Sequence, residues 1–354
     1  MKIATIVGAR PQFIKAAALT SELREFAEEV VIHTGQHYDY ELSKVFFETL
    51  DLPEPDYNLG VGSGTHAVQT AKMLKGIEDV LVKERPELVL VHGDTNSTLS
   101  GSLAAAKIGI KVAHVEAGLR CYNRSLPEEV NRVLTDHLSG LLFCPTRTAV
   151  DNLEREGIVT GVHLVGDVMK DMLERFLSAA RDREVLPEME LGEGGFHLMT
   201  LHRPQNTEDE SNLRAILDAV SGLDTEVVFP AHPRTTTAIE RFGLEEHVGD
   251  NVNITDPLSY TDFLALLVRC RKVLTDSGGV QKEAYLLEKP CVTLREETEW
   301  PETVEDGWNI LVGADRDKII SAVTSEAALG ARRESFGDGK AGTRVAEIVR
   351  NSLS

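Results

Sequence analysis

The sequence predicts an α/β chain made of two Rossmann-like halves, each a parallel, doubly wound sheet. Three observations carry this expectation. Short apolar runs alternate with helical stretches, as in β-α-β units rather than hairpins. The alternation lapses once, from about residue 170 to 195, and then restarts. The length, 354 residues, exceeds one ordinary core, so two domains are expected.

In the first half, Ile3-Ala4-Thr5-Ile6-Val7 reads as a buried strand by its continuous apolar character. Gly8-Ala9-Arg10-Pro11 turns the chain, Pro11 suits a first helical position, and a helix follows to about 26. Val30-Val31-Ile32-His33 is the second strand and ends at Thr34-Gly35-Gln36-His37. Helices are expected at 43–50 and 65–83, then a central strand at 88–91. His92-Gly93-Asp94-Thr95-Asn96 turns into an alanine-rich helix over 97–107. A strand at 112–115 leads to the turn Glu116-Ala117-Gly118-Leu119-Arg120, and another helix begins near Glu128. Strands at 141–144 and 162–165 close this half.

A polar helix, Pro187, several glutamates, Gly192, Gly194 and Gly195 mark the linkage. The expected domains are 1–169 and 170–340, with a helix in 341–354 that could return to the first. Strands of the second half fall at 196–199, 226–229, 252–254, 273–275 and 291–294, with helices between them.

The net charge of -20 argues against a nucleic-acid partner, since a polyanion would be repelled. It leaves room for a local basic pocket. Cys121, Cys144, Cys270 and Cys291 are widely spaced with no C-x-x-C pair, so neither a zinc site nor a disulfide framework is expected. Cys144 and Cys291 sit beside apolar runs and read as core residues. No apolar run is long enough to span a bilayer, and the first residues read as a strand rather than a secretion signal. A cytoplasmic protein without a membrane partner is the expectation.

Ligands of parallel sheets bind beyond the carboxyl ends of the strands, so the turns there are where chemistry is sought. Val273-Leu274-Thr275-Asp276-Ser277-Gly278-Gly279 runs from strand through a tight turn into a helix. Unpaired helix N–H groups there attract phosphate; an Asp or Ser N-cap with glycines for the turn explains the stretch equally well. The first half's turns also present Arg10, Lys15, Asp94, Glu116 and Glu128, and the second half's present His202-Arg203, His232 and Arg295. Taken singly, Asp94 could cap a helix, Lys15 could lie along an exposed helix face and Glu128 could favour a helix start. Glu116 follows an apolar strand directly and has no obvious capping role. Together, cations and helix starts suit a diphosphate, and three carboxylates with a histidine suit proton transfer.

The first turn lacks G-x-G-x-x-G and the chain lacks G-x-x-x-x-G-K-[ST], which argues against a dinucleotide site and a P-loop. His92-Gly93-Asp94 is not joined by the Asp, His and Asn set of a metal phosphoesterase. No metal or redox cofactor is expected.

Several segments then combine in one order: Gly8-Ala9-Arg10-Pro11-Gln12-Phe13-Ile14-Lys15, His92-Gly93-Asp94-Thr95-Asn96-Ser97-Thr98, His114-Val115-Glu116-Ala117-Gly118-Leu119-Arg120 and Pro127-Glu128-Glu129-Val130-Asn131-Arg132. Leu201-His202-Arg203, Pro230-Ala231-His232-Pro233, the stretch 274–284 and Thr298-Glu299-Trp300-Pro301-Glu302 follow. With these, the chain resembles the non-hydrolysing UDP-N-acetylglucosamine 2-epimerases over nearly its whole length. The resemblance implies a GT-B-type arrangement, two Rossmann-like domains facing a central cleft, as in one large class of glycosyltransferases. It implies C2 epimerisation of a UDP-sugar through a glycal, without metal or redox cofactor, in a homodimer. It implies Asp94, Glu116, Glu128 and His202 as the acid/base groups. The substrate would meet Arg10, Lys15, Arg132, Arg203, His232, Leu258, Phe263, Ser277, Gly278, Gly279, Gln281, Glu283 and Arg295. Arg10, Lys15 and the turn Ser277-Gly278-Gly279 would clamp the diphosphate. Glu283 would bind ribose, Phe263 would pack on uracil and Arg295 would line the sugar and phosphate region.

Three departures stand out. Ala9-Arg10-Pro11-Gln12 replaces Thr-Arg-Pro-Glu, Gln281-Lys282-Glu283-Ala284 replaces Gln-Glu-Glu-Ala, and Glu299-Trp300-Pro301-Glu302 replaces Glu-Arg-Pro-Glu. They look like the sister branch acting on UDP-2,3-diacetamido-2,3-dideoxy-glucuronate. Lys282 could favour a uronate, and a solvated helix lysine is the simpler reading. Leu258 replaces a Gln of some relatives, so any contact there is through backbone or packing. The pattern after Gly35-Gln36-His37 that the family ties to allosteric binding of a second substrate molecule is not matched. A glycosyltransferase and a non-catalytic UDP-sugar sensor are the alternative readings.

Overall fold

The computed structural model describes residues 1–35, 52–326 and 329–353; the expected helix at 43–50 and Gln36-His37 lie outside them. The chain divides into two compact units, Met1–Met172 together with Glu334–Ser354, and Leu173–Arg333. The first division falls inside one helix, Val168–Asp182.

The first unit carries β1 (Lys2–Val7), β2 (Glu28–His33), β3 (Tyr57–Asn58), β4 (Leu88–His92), β5 (Lys111–Val115), β6 (Leu141–Cys144) and β7 (Val162–Leu164). Their order is β3-β2-β1-β4-β5-β6-β7, and every pairing is parallel. Successive side chains of a strand face opposite sides of the sheet. Accordingly Ile3, Leu88 and Leu90 enter one core cluster, while Ala4, Ile6, Val89 and Val91 enter another. Both faces are covered, so these strands read as unbroken apolar runs.

The helix Ala341–Leu353 returns to this unit. Val345, Ala346 and Val349 share a core cluster with Ile3, Leu19 and Leu23. Its start is capped by Asp171, whose carboxylate accepts from the N–H of Ala341 at 3.1 Å and of Gly342 at 2.7 Å.

The second unit carries β8 (Phe196–Thr200), β9 (Glu226–Pro230), β10 (Val252–Thr255), β11 (Val273–Thr275), β12 (Cys291–Thr293) and β13 (Asn309–Leu311). Their order is β10-β9-β8-β11-β12-β13, again all parallel. In each sheet the strand order reverses beside the first strand, at β1 and at β8. Turns flanking such a reversal point are where ligands of doubly wound sheets bind. The edge strands β3 and β13, two and three residues long, were not anticipated from sequence because a period of two needs more residues to show. Among the described residues no helix is long and apolar enough to cross a membrane.

A Cβ added at Gly342 would lie 2.1 Å from the carbonyl oxygen of Ala18. Gly342→Ala must therefore push the last helix off the first, with an expected loss of about 1–3 kcal/mol. A thermal melt followed by circular dichroism measures it, and an unchanged melting temperature would contradict this packing.

Candidate active site

In the first unit the turn after β1 is held by Gln12. Its side-chain oxygen accepts from the N–H groups of Gly8 at 2.9 Å and Ala9 at 3.1 Å. Its amide nitrogen donates to the carbonyl of His92 at 2.8 Å and the hydroxyl of Thr98 at 3.0 Å. One buried amide thus ties the β1 turn to the β4 turn. Arg10 opens the helix Arg10–Arg24, and Lys15 lies farther along it.

Lys15 Nζ is paired with Glu116 Oε2, and both side chains are largely buried. The cation anticipated against a diphosphate is therefore engaged by a carboxylate here. The pair passes over Gly93: a Cβ there would sit 2.9 Å from Lys15 Nζ and 3.4 Å from Glu116 Oε2. Glu116 adopts φ 74°, a left-handed conformation that costs a non-glycine residue about 1–2 kcal/mol. The N–H groups of Glu116 and Ala117 both donate to the carbonyl of Phe143 at 3.1 Å, which holds that conformation.

Asp94 is not the helix cap. Thr95 takes that place on Asn96–Lys107, and the Asp94 carboxylate accepts from Arg132 Nη2 at 2.6 Å. Arg132 is buried and its Nη1 donates to Glu129 Oε2 at 2.9 Å. Glu129 also accepts from the N–H groups of Cys121 at 3.1 Å and Tyr122 at 2.9 Å. Glu129 therefore organises the loop before the helix Pro127–Leu138, a role the sequence pattern did not single out. Its neighbour Glu128 lies half-buried in the first turn of that helix.

Behind these turns stand two buried histidines. His114 bridges the Gly93 carbonyl and Asp136, each at 2.7 Å. Both ring nitrogens of His92 are buried without a hydrogen-bond partner among the described residues. Burial, assisted by the nearby positive charge of Lys15 and His114, lowers the His92 pKa to about 3.

In the second unit Asp276 is the organising residue. It is fully buried and accepts from the N–H groups of His202 and Arg203 at 3.1 and 2.9 Å and from Asn206 Nδ2 at 3.1 Å. Its Oδ1 also lies 3.1 Å from His202 Nδ1, so it orients the imidazole, which is itself exposed. Burial opposes ionisation of Asp276, yet His202 and the backbone donors bring its carboxyl below the usual value. Ser277 starts the helix Gly278–Leu286 without a side-chain cap bond. The helix-start N–H groups thus receive no capping bond from Ser277, and among the described residues a Cβ at Gly279 would find within 4 Å only Ser277 Oγ, at 3.8 Å.

Arg295 is buried and grips Glu299 with two hydrogen bonds of 3.0 Å. Arg203 Nη2 lies 3.9 Å from the same carboxylate. Gln281 is buried, its oxygen taken by Thr298 at 2.7 Å and Asn309 at 3.2 Å. Glu283 accepts from the hydroxyl of Tyr260 at 2.9 Å. His232 caps Pro233–Phe242 through Nδ1; burial, with Arg234 and His202 nearby, lowers its pKa. Leu258 and Phe263, just before and within the helix Tyr260–Arg269, are half-buried. Lys282 is not a solvated helix lysine. It is 1 % exposed, and its ammonium sits 4.2 Å from the centre of the buried Trp300 ring. Two of the three sequence departures are thus one contact.

The model of the UDP-N-acetylglucosamine 2-epimerase family matches residues 21–350. The chain belongs to that family. It is 50 % identical to a UDP-N-acetylglucosamine 2-epimerase homolog of Methanococcus maripaludis, covering 99 % of this chain and 100 % of that one. It is 47 % identical to the UDP-2,3-diacetamido-2,3-dideoxy-D-glucuronate 2-epimerase of Pseudomonas aeruginosa, covering 99 % of each. The crystal structure of the Methanocaldococcus jannaschii UDP-GlcNAc 2-epimerase in complex with UDP-GlcNAc and UDP superposes with a TM-score of 0.92 at 42 % identity, covering 99 % and 100 %.

His92 gives the family member a pH signature. The unfolded histidine binds a proton from about pH 6.5, whereas the folded one does so only near about 3. The unfolded state therefore binds more protons in this window, and stability falls as pH drops from about 6.5 towards 3. His92→Asn should flatten that fall in a series of melts at stepped pH; a slope equal to that of the parent chain would remove His92 as its source.

Proposed function

We propose that the chain interconverts UDP-N-acetylglucosamine and UDP-N-acetylmannosamine by inverting C2. The C2 hydrogen is not next to a carbonyl, so simple deprotonation is unfavourable. Instead a base takes the C2 proton while the C1–oxygen bond to UDP breaks, leaving a C1–C2 double bond. A proton then returns to C2 on the other face, and UDP adds back to C1. Atoms and electrons balance without metal or redox cofactor.

The single observation that carries this reading is Glu116. It is a buried carboxylate beyond the end of β5, ion-paired with Lys15 and held in a strained backbone conformation. Strain kept at a polar strand end supports a functional role. Two faces of C2 require more than one acid/base group, and Asp94, Glu128 and His202 are the further candidates. Arg132 fixes Asp94 and Asp276 fixes His202, as positioned proton-transfer groups require. The start of Gly278–Leu286 and Arg10 would hold the diphosphate, where charge develops as it leaves. Glu283 and Phe263 would serve ribose and uracil. A cytoplasmic homodimer belongs to the same reading.

In heavy water the chain should place deuterium at C2 of both N-acetylhexosamine epimers. Glu116→Gln should slow that exchange by about 100-fold or more while UDP affinity measured by calorimetry is retained. Full exchange in this variant would remove Glu116 from the mechanism. Donor consumption only with an added acceptor, and no C2 label, would indicate a glycosyltransferase; binding without either would indicate a sensor.

A second reading shares the chemistry and changes the sugar to the diacetamido-glucuronate. It is supported by the Lys282–Trp300 pair and the Pseudomonas aeruginosa relative. C2 exchange with that sugar and none with UDP-N-acetylglucosamine would decide for it. A buried ammonium on an indole contributes about 0.5–2 kcal/mol. Lys282→Glu alone therefore buries a carboxylate against the ring and should destabilise the unit. Lys282→Glu with Trp300→Arg places opposite charges at the two positions and should recover most of the loss; equal melting points for the single and double variants would show the two positions to be uncoupled.

A further inference from the structure

His114 is fully buried on β5. Its Nε2 lies 2.7 Å from the carbonyl oxygen of Gly93, which can only accept, so Nε2 carries a hydrogen. Its Nδ1 lies 2.7 Å from Asp136 Oδ1. The other oxygen of Asp136 accepts from Arg120 Nη1 at 2.6 Å and from the N–H of Gly118 at 3.1 Å. Burial disfavours a charged Asp136, but His114 and the Arg120 guanidinium outweigh it and hold the carboxyl below its usual value. With both oxygens accepting, Nδ1 must donate as well. An imidazole that donates from both nitrogens is an imidazolium.

The charge is matched outward. Arg120 makes a two-pronged contact with Glu156, at 2.7 and 2.8 Å, and His137 Nε2 lies 3.3 Å from Glu156 Oε2 at the surface. Signs thus alternate from His114 through Asp136 and Arg120 to Glu156. Around this chain stand Lys15, Glu116 and the neutral His92 on the side of the turns, and Cys144 on β6, whose thiol burial and Asp136 push up. The pairing joins two backbones. Through His114 it holds Gly93, next to Asp94, and through Asp136 it holds Gly118, two residues beyond Glu116.

We propose that His114 is a positioning residue, an imidazolium held between two acceptors, which with Asp136 fixes the spacing between the Asp94 and Glu116 turns. The link to catalysis rests on the epimerase reading; the charge state does not. Two-bond proton–nitrogen spectra of uniformly labelled, unsubstituted protein near neutral pH read the charge state, with the His114 ring assigned by through-bond correlation to its own backbone. Both His114 nitrogens should carry hydrogen and resonate alike. A lone-pair nitrogen on His114 in the unsubstituted protein overturns the proposal, whether or not any variant folds. Asp136→Asn should convert His114 to a neutral ring and slow C2 exchange by about 100-fold, with KM and UDP affinity nearly unchanged. Unchanged exchange in a folded Asp136→Asn variant also overturns it. If the unsubstituted chain exchanges nothing at C2, the epimerase reading and the positioning role fall together, and the spectra still decide the imidazolium.

Discussion

The Lys15–Glu116 ion pair is the constraint on which the first unit's turns depend. Two opposite charges taken out of water must meet closely, or burying them costs several kcal/mol. That demand fixes the residues around them. A Cβ on Gly93 would crowd Lys15 Nζ at 2.9 Å and its φ of 62° disfavours any side chain, and Glu116 adopts a left-handed backbone to aim its carboxylate there. The Phe143 carbonyl holds that backbone, and Gln12 sets where the helix bearing Lys15 begins. Strand ends that look independent in sequence are therefore one buried polar assembly.

The second unit solves the same problem with a different geometry. Asp276 gathers the backbone of the His202 turn, and Glu299 gathers the guanidinium of Arg295. In both units a buried carboxylate draws several donors to itself, and the groups proposed to meet substrate hang from it. This arrangement spends little side-chain freedom when a ligand arrives, because the supporting atoms are already ordered.

Most strands and helices were legible because their signal is local, the short edge strands β3 and β13 excepted. Val89, Leu90 and Val91 are apolar on both sides, and a sheet covered on both faces needs nothing more. The turns were legible as places where polar residues follow apolar runs. Pairings were not, since Arg132 meets Asp94 and Glu29 meets Thr5 across long stretches of chain. Glu129 looked like a helix-start acid no different from Glu128, yet it is buried and holds Arg132 and a loop. Asp136, within a helix, carries no signal in the sequence pattern that sets it apart. Lys282 misled in the other direction, since nothing adjacent to it in sequence announces the Trp300 ring. Composition and motif order indicate which residues are polar at strand ends; only the fold indicates which of them face each other.

The return of the final helix has a consequence for how this protein is made. Val345 and Val349 complete the same cluster as Ile3 and Leu19, more than three hundred residues earlier. A ribosome releases the beginning of the first unit long before those valines exist. Contacts of such sequence separation form late, after the loop-closure cost has been met. The intervening unit, by contrast, is one unbroken stretch, Leu173–Arg333, available in full before the chain is finished. During synthesis the half that begins the chain is therefore the last to close its core, and until then the apolar faces of Leu19 and Leu23 await a helix not yet translated.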